Sequence, residues 1–205
     1  MTDNSPKCHV TAIVSRDVTL PDVAKRLVED TEVPLGLAVY ADGCCEPNPG
    51  AGGRGFVVYR DGDEIHYSSG GDLEATNQRM EMTAAREALR WVAANVGSGA
   101  ANVRLFSDSA YVVNGSNDWR HKWKARGWRR KQGGADTLAN LDLWKALDAA
   151  LTVVPIRLEW VRGHAGIIGN ERADELSLIG RGMIVEQLAT PLDLIRQQLD
   201  YSARS

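Results

Sequence analysis

A chain of 205 residues, 43% apolar and 25% charged, has the make-up of one ordinary globular domain with extensions and can bury a core without covalent staples. Its three cysteines, Cys8, Cys44 and Cys45, include two that are adjacent, which argues against a disulfide framework and for a reducing compartment. The net charge of −3 argues against a nucleic-acid partner on average, yet residues 119–131 carry Arg120, Lys122, Lys124, Arg126, Arg129, Arg130 and Lys131 with no acid among them.

The opening Met1-Thr2-Asp3-Asn4-Ser5 lacks the basic-then-apolar pattern of a secretory signal, and no apolar run is long enough to span a membrane. The expectation is a cytoplasmic protein with no membrane partner, read as a monomer, with self-association through its extensions left open. Residues 1–36 read as a separate N-terminal extension of unassigned role. It holds a β-like run at 10–14 and a helix near 21–29, and it has no Phe, Trp or Tyr with which to stack on bases. Residues 37–40 read as a short strand ending at Asp42-Gly43. Residues 55–60 and 64–68 flank Asp61-Gly62-Asp63, a hairpin signal. A helix is predicted from Thr76-Asn77 to about Asn95, closed by Gly97, with Asn77 a candidate N-cap. Residues 103–107 form the next strand, ending in Asp108. Residues 109–150 read as helical, with interruptions at Gly115, Gly127 and Gly133-Gly134. A strand follows at 156–161, and a last helix begins near Asn170. After Gly180, residues 181–205 read as a tail, with Thr190-Pro191 opening a short docking helix that carries Leu192, Ile195 and Leu199 at i, i+3 and i+7. The order points to an α/β fold, a mixed sheet with helices packed on it.

Four acids stand out against this frame. Asp42 and Asp108 each follow a β-like segment. An acid there is ordinarily a solvated turn residue, but two at the carboxyl ends of neighbouring strands would share the edge where open α/β sheets bind ligands. Glu81, Ala84, Ala85, Ala88 and Val92 fall at i, i+3, i+4, i+7 and i+11, so a carboxylate heads the small apolar stripe that faces the sheet. A favourable helix dipole explains an acid near a helix start but not one on the buried side, which needs a partner such as a cation. Asp174, in the opening turns of the last helix, completes an all-oxygen set suited to Mg²⁺ or Mn²⁺ rather than zinc.

Read in order, these stretches resemble ribonuclease HI, the type 1 ribonuclease H family. The resemblance rests on Asp42-Gly43-Cys44-Cys45-Glu46-Pro47-Asn48-Pro49-Gly50, on Thr76-Asn77-Gln78-Arg79-Met80-Glu81 with Ala84-Ala85, and on Ser107-Asp108-Ser109-Ala110-Tyr111-Val112. Trp160-Val161-Arg162-Gly163-His164-Ala165-Gly166 and Asn170-Glu171-Arg172-Ala173-Asp174-Glu175-Leu176 complete it. It covers residues 37–180, the expected catalytic domain. It implies a ribonuclease H-like fold: a five-stranded mixed sheet, three strands antiparallel then two parallel, with helices on both faces. It implies an endonuclease that hydrolyses the RNA strand of RNA–DNA hybrids with two Mg²⁺ ions, Mn²⁺ being a substitute, and leaves 5′-phosphate and 3′-hydroxyl ends. The metal ligands carried over are Asp42, as the bridging ligand, with Glu81, Asp108 and Asp174. His164 becomes the mobile histidine that assists proton transfer or product release.

Substrate contacts are expected from Gly43, Cys45 and Asn48 in the glycine-rich turn and from Thr76, Asn77 and Gln78 at the helix start. There the 2′-hydroxyl and the minor groove distinguish RNA from DNA. Trp119, Lys122, Trp123, Lys124 and Arg126 resemble the family's basic protrusion, in which some tryptophans pack while the charged face grips the DNA strand. Three departures bear on affinity: Pro47 in the turn, Ala110 where some relatives carry a longer polar residue, and apolar Ile167-Ile168 in the histidine loop. The rival readings are a DNA-directed nuclease of the same fold and a non-catalytic binding module. The basic protrusion weighs against the first and the four intact acids against the second.

Overall fold

The computed structural model describes residues 32–97, 102–130 and 138–202, with side chains as far as residue 186. The strand expected at 10–14, the helix at 21–29 and the break at Gly133-Gly134 lie outside the described residues. In chain order the elements are β1 (Leu37–Cys45), β2 (Gly50–Arg60), β3 (Asp63–Ala75), α1 (Asn77–Asn95), β4 (Val103–Ser107), α2 (Ala110–Asn114), α3 (Arg120–Ala125), α4 (Leu141–Val153), β5 (Leu158–Trp160) and α5 (Ile168–Ser202). No helix among the described residues is long and apolar enough to cross a membrane.

The sheet order is β3-β2-β1-β4-β5. β1 pairs antiparallel with β2 and β2 with β3, while β1–β4 and β4–β5 are parallel. The hairpin forms as expected, through a tighter turn. Asp61 and Gly62 both take positive φ, 52° and 94°, the left-handed pair that matches strand twist. Both β1 and β2 outrun their expected bounds. β1 continues through Asp42 to Cys45 because Gly52, Gly53, Arg54 and Gly55 supply its partners, and glycines leave no hydrophobic alternation to read.

Alternation along β1 splits the core in two. Val39 and Ala41 join Phe56, Val58, Leu105 and the buried stripe of α1 beneath α1–α4. Ala38 and Tyr40 join Val57, Tyr59, Phe106, Ala173 and Leu176 beneath α5. Each fully buried Leu or Val contributes about 1.5–3 kcal/mol. The helices thus cover both faces of the five-stranded sheet.

Two expected breaks do not occur. At Gly115 α2 runs on through a wide π-helical turn, Gly115–Trp119, into α3, so that the three form one continuous rod. A Cβ on Gly115 would strike the ring of Trp144, so this glycine serves packing rather than termination. Likewise α5, 35 residues long in all, passes through Gly180, so residues 181–202 extend that helix instead of forming a separate tail with its own short helix. Gly180 lies against the backbone of Gly70, and Ile184 reaches Gly71. A domain limit at residue 180 therefore cuts through the seam between α5 and the sheet. Gly127, with φ 65°, does end α3.

Candidate metal centre

Tyr40 of β1 and Phe106 of β4 are register partners in the parallel pair. Asp42 and Asp108 each lie two residues further on, at one level, Asp108 just past the end of β4 and Asp42 beside it within β1. α5 approaches from one face with Asp174, and α1 approaches from the other with Glu81. The closeness of α1 depends on Gly43, whose missing Cβ would collide with the backbone at Met80 and Glu81.

Asp42 is 8% exposed. Burial, then the charge of Asp108, push its carboxyl up to about 7; Asp174 and Glu81 add to this, while a 2.7 Å hydrogen bond from the Gly43 N–H opposes it. Burial likewise raises Glu81, with Asp108 adding, against hydrogen bonds donated by the Ser109 hydroxyl and the Asn77 amide. Asp174 is raised by burial, Glu171 and Asp108, with His164 opposing. The four acids expected from the sequence thus act on one another electrostatically. Asp42, Glu81 and Asp174, each raised and each facing the charge of Asp108, fit a hard divalent cation, which removes the repulsion.

Asp108 is held from three sides. Its carbonyl accepts from Trp160 Nε1 at 2.9 Å, its carboxylate lies 3.4 Å from Asn170 Nδ2, and Gly163 leaves room for that carboxylate where a Cβ would clash. His164, exposed and at φ 50°, sets Nδ1 3.9 Å from Asp174 Oδ2. With Glu171 these two residues bring ligand atoms within 4.8 Å of one another.

The supports were not singled out from sequence. Ser109 caps α2 while its hydroxyl donates to Glu81, and its place after a strand-end acid at a helix start was the available signal. Asn170 is 2% exposed, and its Oδ1 has no hydrogen-bond partner. It stands four residues before Asp174 and so shares its helix face.

At the helix start, Thr76 rather than Asn77 is the N-cap, accepting from the Arg79 N–H at 3.3 Å. Asn77 instead donates its side-chain amide to Glu81 Oε1 at 3.0 Å, and its backbone N–H donates to Asn48 Oδ1 at 3.2 Å. Cys45 turns its thiol towards the carbonyls of Pro47, Gly50 and Ala75, inside the turn. Gln78 lines a groove of about 510 Å³ with Tyr111, Trp119, Trp123, Arg130 and Leu138.

The basic segment divides as its interleaving suggests. Trp123 is buried and packs against Trp119 and Trp144, and Trp119 also meets Tyr111. Lys122 is exposed, whereas Lys124 pairs with Asp148 at 2.7 Å and Arg120 binds the same carboxylate. Arg126, also exposed, donates to the Arg130 carbonyl at 3.3 Å. Of the departures, Ile167 is buried beneath α5 beside Tyr40 and Phe106, while Ile168 and Ala110 are exposed.

The chain is similar to known proteins over this same region. It is 46% identical over 148 residues to "Ribonuclease H" of Methylorubrum extorquens, covering 72% of this chain and 61% of that protein. It is 45% identical over 144 residues to "Ribonuclease H" of a Caulobacter species, covering 70% of this chain and 88% of that one. Among solved structures it resembles LC9-RNase H1, a type 1 RNase H with the type 2 active-site motif, at 33% identity and a TM-score of 0.58 over 74% of each chain. It shares its fold with LC11-RNase H1 solved in complex with an RNA/DNA hybrid, at 21% identity and a TM-score of 0.52 over 73% of this chain and 99% of that one. The model of the RNase H family matches residues 35–180, and with it this chain belongs to the ribonuclease H family of enzymes.

Proposed function

We propose that this chain is an endonuclease that hydrolyses the RNA strand of RNA–DNA hybrids by a two-metal-ion mechanism, leaving 5′-phosphate and 3′-hydroxyl ends. The observation that carries the reading is the mutual coupling of Asp42, Glu81, Asp108 and Asp174 at one end of the sheet. Two Mg²⁺ ions held there, or Mn²⁺ in their place, would supply an activated water and a counter-charge for the leaving 3′-oxygen. Asp42, on which the charges of the other three acids all act, would be the ligand shared by the two ions. Ser109 and Asn77 fix the orientation of Glu81, and Asn170 and Gly163 fix that of Asp108. His164, exposed between Gly163 and Gly166, is placed to move a proton at the edge of the site or to help product leave.

The turn at Gly43, Cys45 and Asn48, with Thr76, Asn77 and Gln78, faces the minor groove and reads the 2′-hydroxyl through Asn48, Asn77 and Gln78. Trp119 and the groove beside it receive the DNA strand, with Lys122 and Arg126 on its phosphates. Lys124 contributes through its pairing with Asp148, and Trp123 through packing. The hybrid held by LC11-RNase H1, which shares this fold, supports the substrate assignment.

The deciding experiment incubates the protein and Mg²⁺ with end-labelled hybrid, duplex DNA and single-stranded RNA, then analyses the ends. Cuts confined to the RNA of the hybrid, with 5′-phosphate and 3′-hydroxyl termini, are expected. Comparable cutting of duplex DNA, or binding of hybrid without cutting, would overturn the assignment.

A further inference from the structure

Residues 46–49 join β1 to β2 and are exposed. Pro47 and Pro49 have no N–H, and inside the turn the Glu46 N–H donates to the Ala51 carbonyl while the Cys45 thiol faces the Pro47 and Gly50 carbonyls, which leaves the Asn48 side chain to be placed by its surroundings. The turn is held from outside at two points. On one side Asn48 Oδ1 accepts from the backbone of Asn77, whose side chain in turn donates to Glu81, so Asn48 is one residue removed from the metal centre. On the other side Arg181 donates from both Nε and Nη2 to the Glu46 carbonyl, at 3.0 and 2.6 Å.

Arg181 lies one residue beyond the stretch that matches the family, on the part of α5 that continues past Gly180. Its own position is fixed: its backbone N and Cβ occupy the space left by the missing side chain of Gly53. A planar guanidinium on a stem anchored at its base presents two donors in a fixed fork, unlike a lysine with its single rotatable ammonium.

We propose that Arg181 is a positioning residue for substrate: its two-pronged grip on the Glu46 carbonyl sets the turn so that Asn48 meets Asn77 and the RNA strand in register. This rests on the reading that the turn contacts the hybrid. Because Arg181 acts through Asn48, its contribution should vanish where Asn48 no longer contributes.

Steady-state cleavage of a hybrid by the full chain, with melting temperatures alongside, tests this in a cycle of Asn48→Ala, Arg181→Ala and the double variant, with Arg181→Lys as the conservative change. Arg181→Ala is expected to raise KM about 10-fold, the scale of a lost charge-assisted hydrogen-bond pair, with a smaller effect on kcat. Arg181→Lys should recover part of that, and the double variant should be no worse than Asn48→Ala alone. If Asn48→Ala leaves KM unchanged, the reading of the turn as a substrate contact fails, and this inference with it. If Asn48→Ala raises KM but Arg181→Ala does not, or if the two effects add independently, the positioning role alone is overturned. An Arg181→Ala loss that falls on kcat and KM alike and follows a lowered melting temperature also overturns it.

Discussion

Asp42 keeps its proton to about pH 7 because burial and the surrounding carboxylates penalise the anion, whereas the unfolded chain loses that proton near 3.8. Between those values the folded chain binds more protons than the unfolded one, so stability falls as pH rises through the window, and above about 7 the whole penalty stands. A divalent cation relieves it. Melting with Mg²⁺ against EDTA should therefore show a larger rise in Tm at pH 8 than at pH 5.5; equal rises would separate the carboxyl's behaviour from the ion. Asp42→Asn removes the charge itself. The metal-free variant should be the more stable of the two at pH 8, by on the order of 2 kcal/mol in denaturant titrations. Its Mg²⁺-dependent cleavage should fall by about 10³-fold or more while hybrid binding persists. Binding lost in step with cleavage would make Asp42 a substrate contact instead. The acids were legible because a carboxylate at the head of an apolar stripe, as at Glu81, contradicts ordinary burial. Ser109 and Asn170 contradict nothing locally: a Ser at a helix start and an Asn near one both satisfy capping chemistry, and only the fold reveals their carboxylate partners.

Among the elements, the basic rod shows how charge and burial divide one segment. Arg120 and Lys124 both bind Asp148, whose side chain is 9% exposed, so they tie α3 to α4. Lys122 is exposed. Lys122→Ala should thus raise KM and lower the slope of log KM against log salt by about 0.7–0.9, the share of one phosphate contact, without changing Tm. Arg120→Ala should cost about 2 kcal/mol, because it takes one of two cations from a buried carboxylate and leaves it to the more exposed Lys124. A salt slope that survives Lys122→Ala would remove this residue from the nucleic-acid interface. The strands and helices themselves were mostly readable from periodicity and turn chemistry. Where the reading of strand and helix ends failed at 52–55, Gly115 and Gly180, glycine was the cause. Gly115, Gly180 and the run at 52–55 look like punctuation in a sequence, yet here they admit a tryptophan ring, a strand backbone and a helix.

For the molecule as a whole, α5 does more than close the sheet. It crosses β2 at Gly55 and Gly53, meets β3 at Gly70 and Gly71, and fixes the turn through Arg181. We propose on these contacts that the catalytic unit, expected from sequence at 37–180, extends past Ile184. A chain of residues 32–186 should keep the cleavage rate of the full chain within a few-fold. One ending at 180 should melt lower and cleave more weakly; if both behaved alike, the contacts of Arg181 and Ile184 would be dispensable. Periodicity could not have set this limit, since a glycine inside a helical pattern does not show whether the helix ends there or runs on. The same seam constrains how such a chain can diverge. Every substitution available to a glycine adds at least one carbon, and at Gly53 and Gly55 that carbon meets main chain that has nowhere to move. No small first step leads out of these positions, so a side chain at Gly53 or Gly55 requires α5 itself to shift away from the sheet.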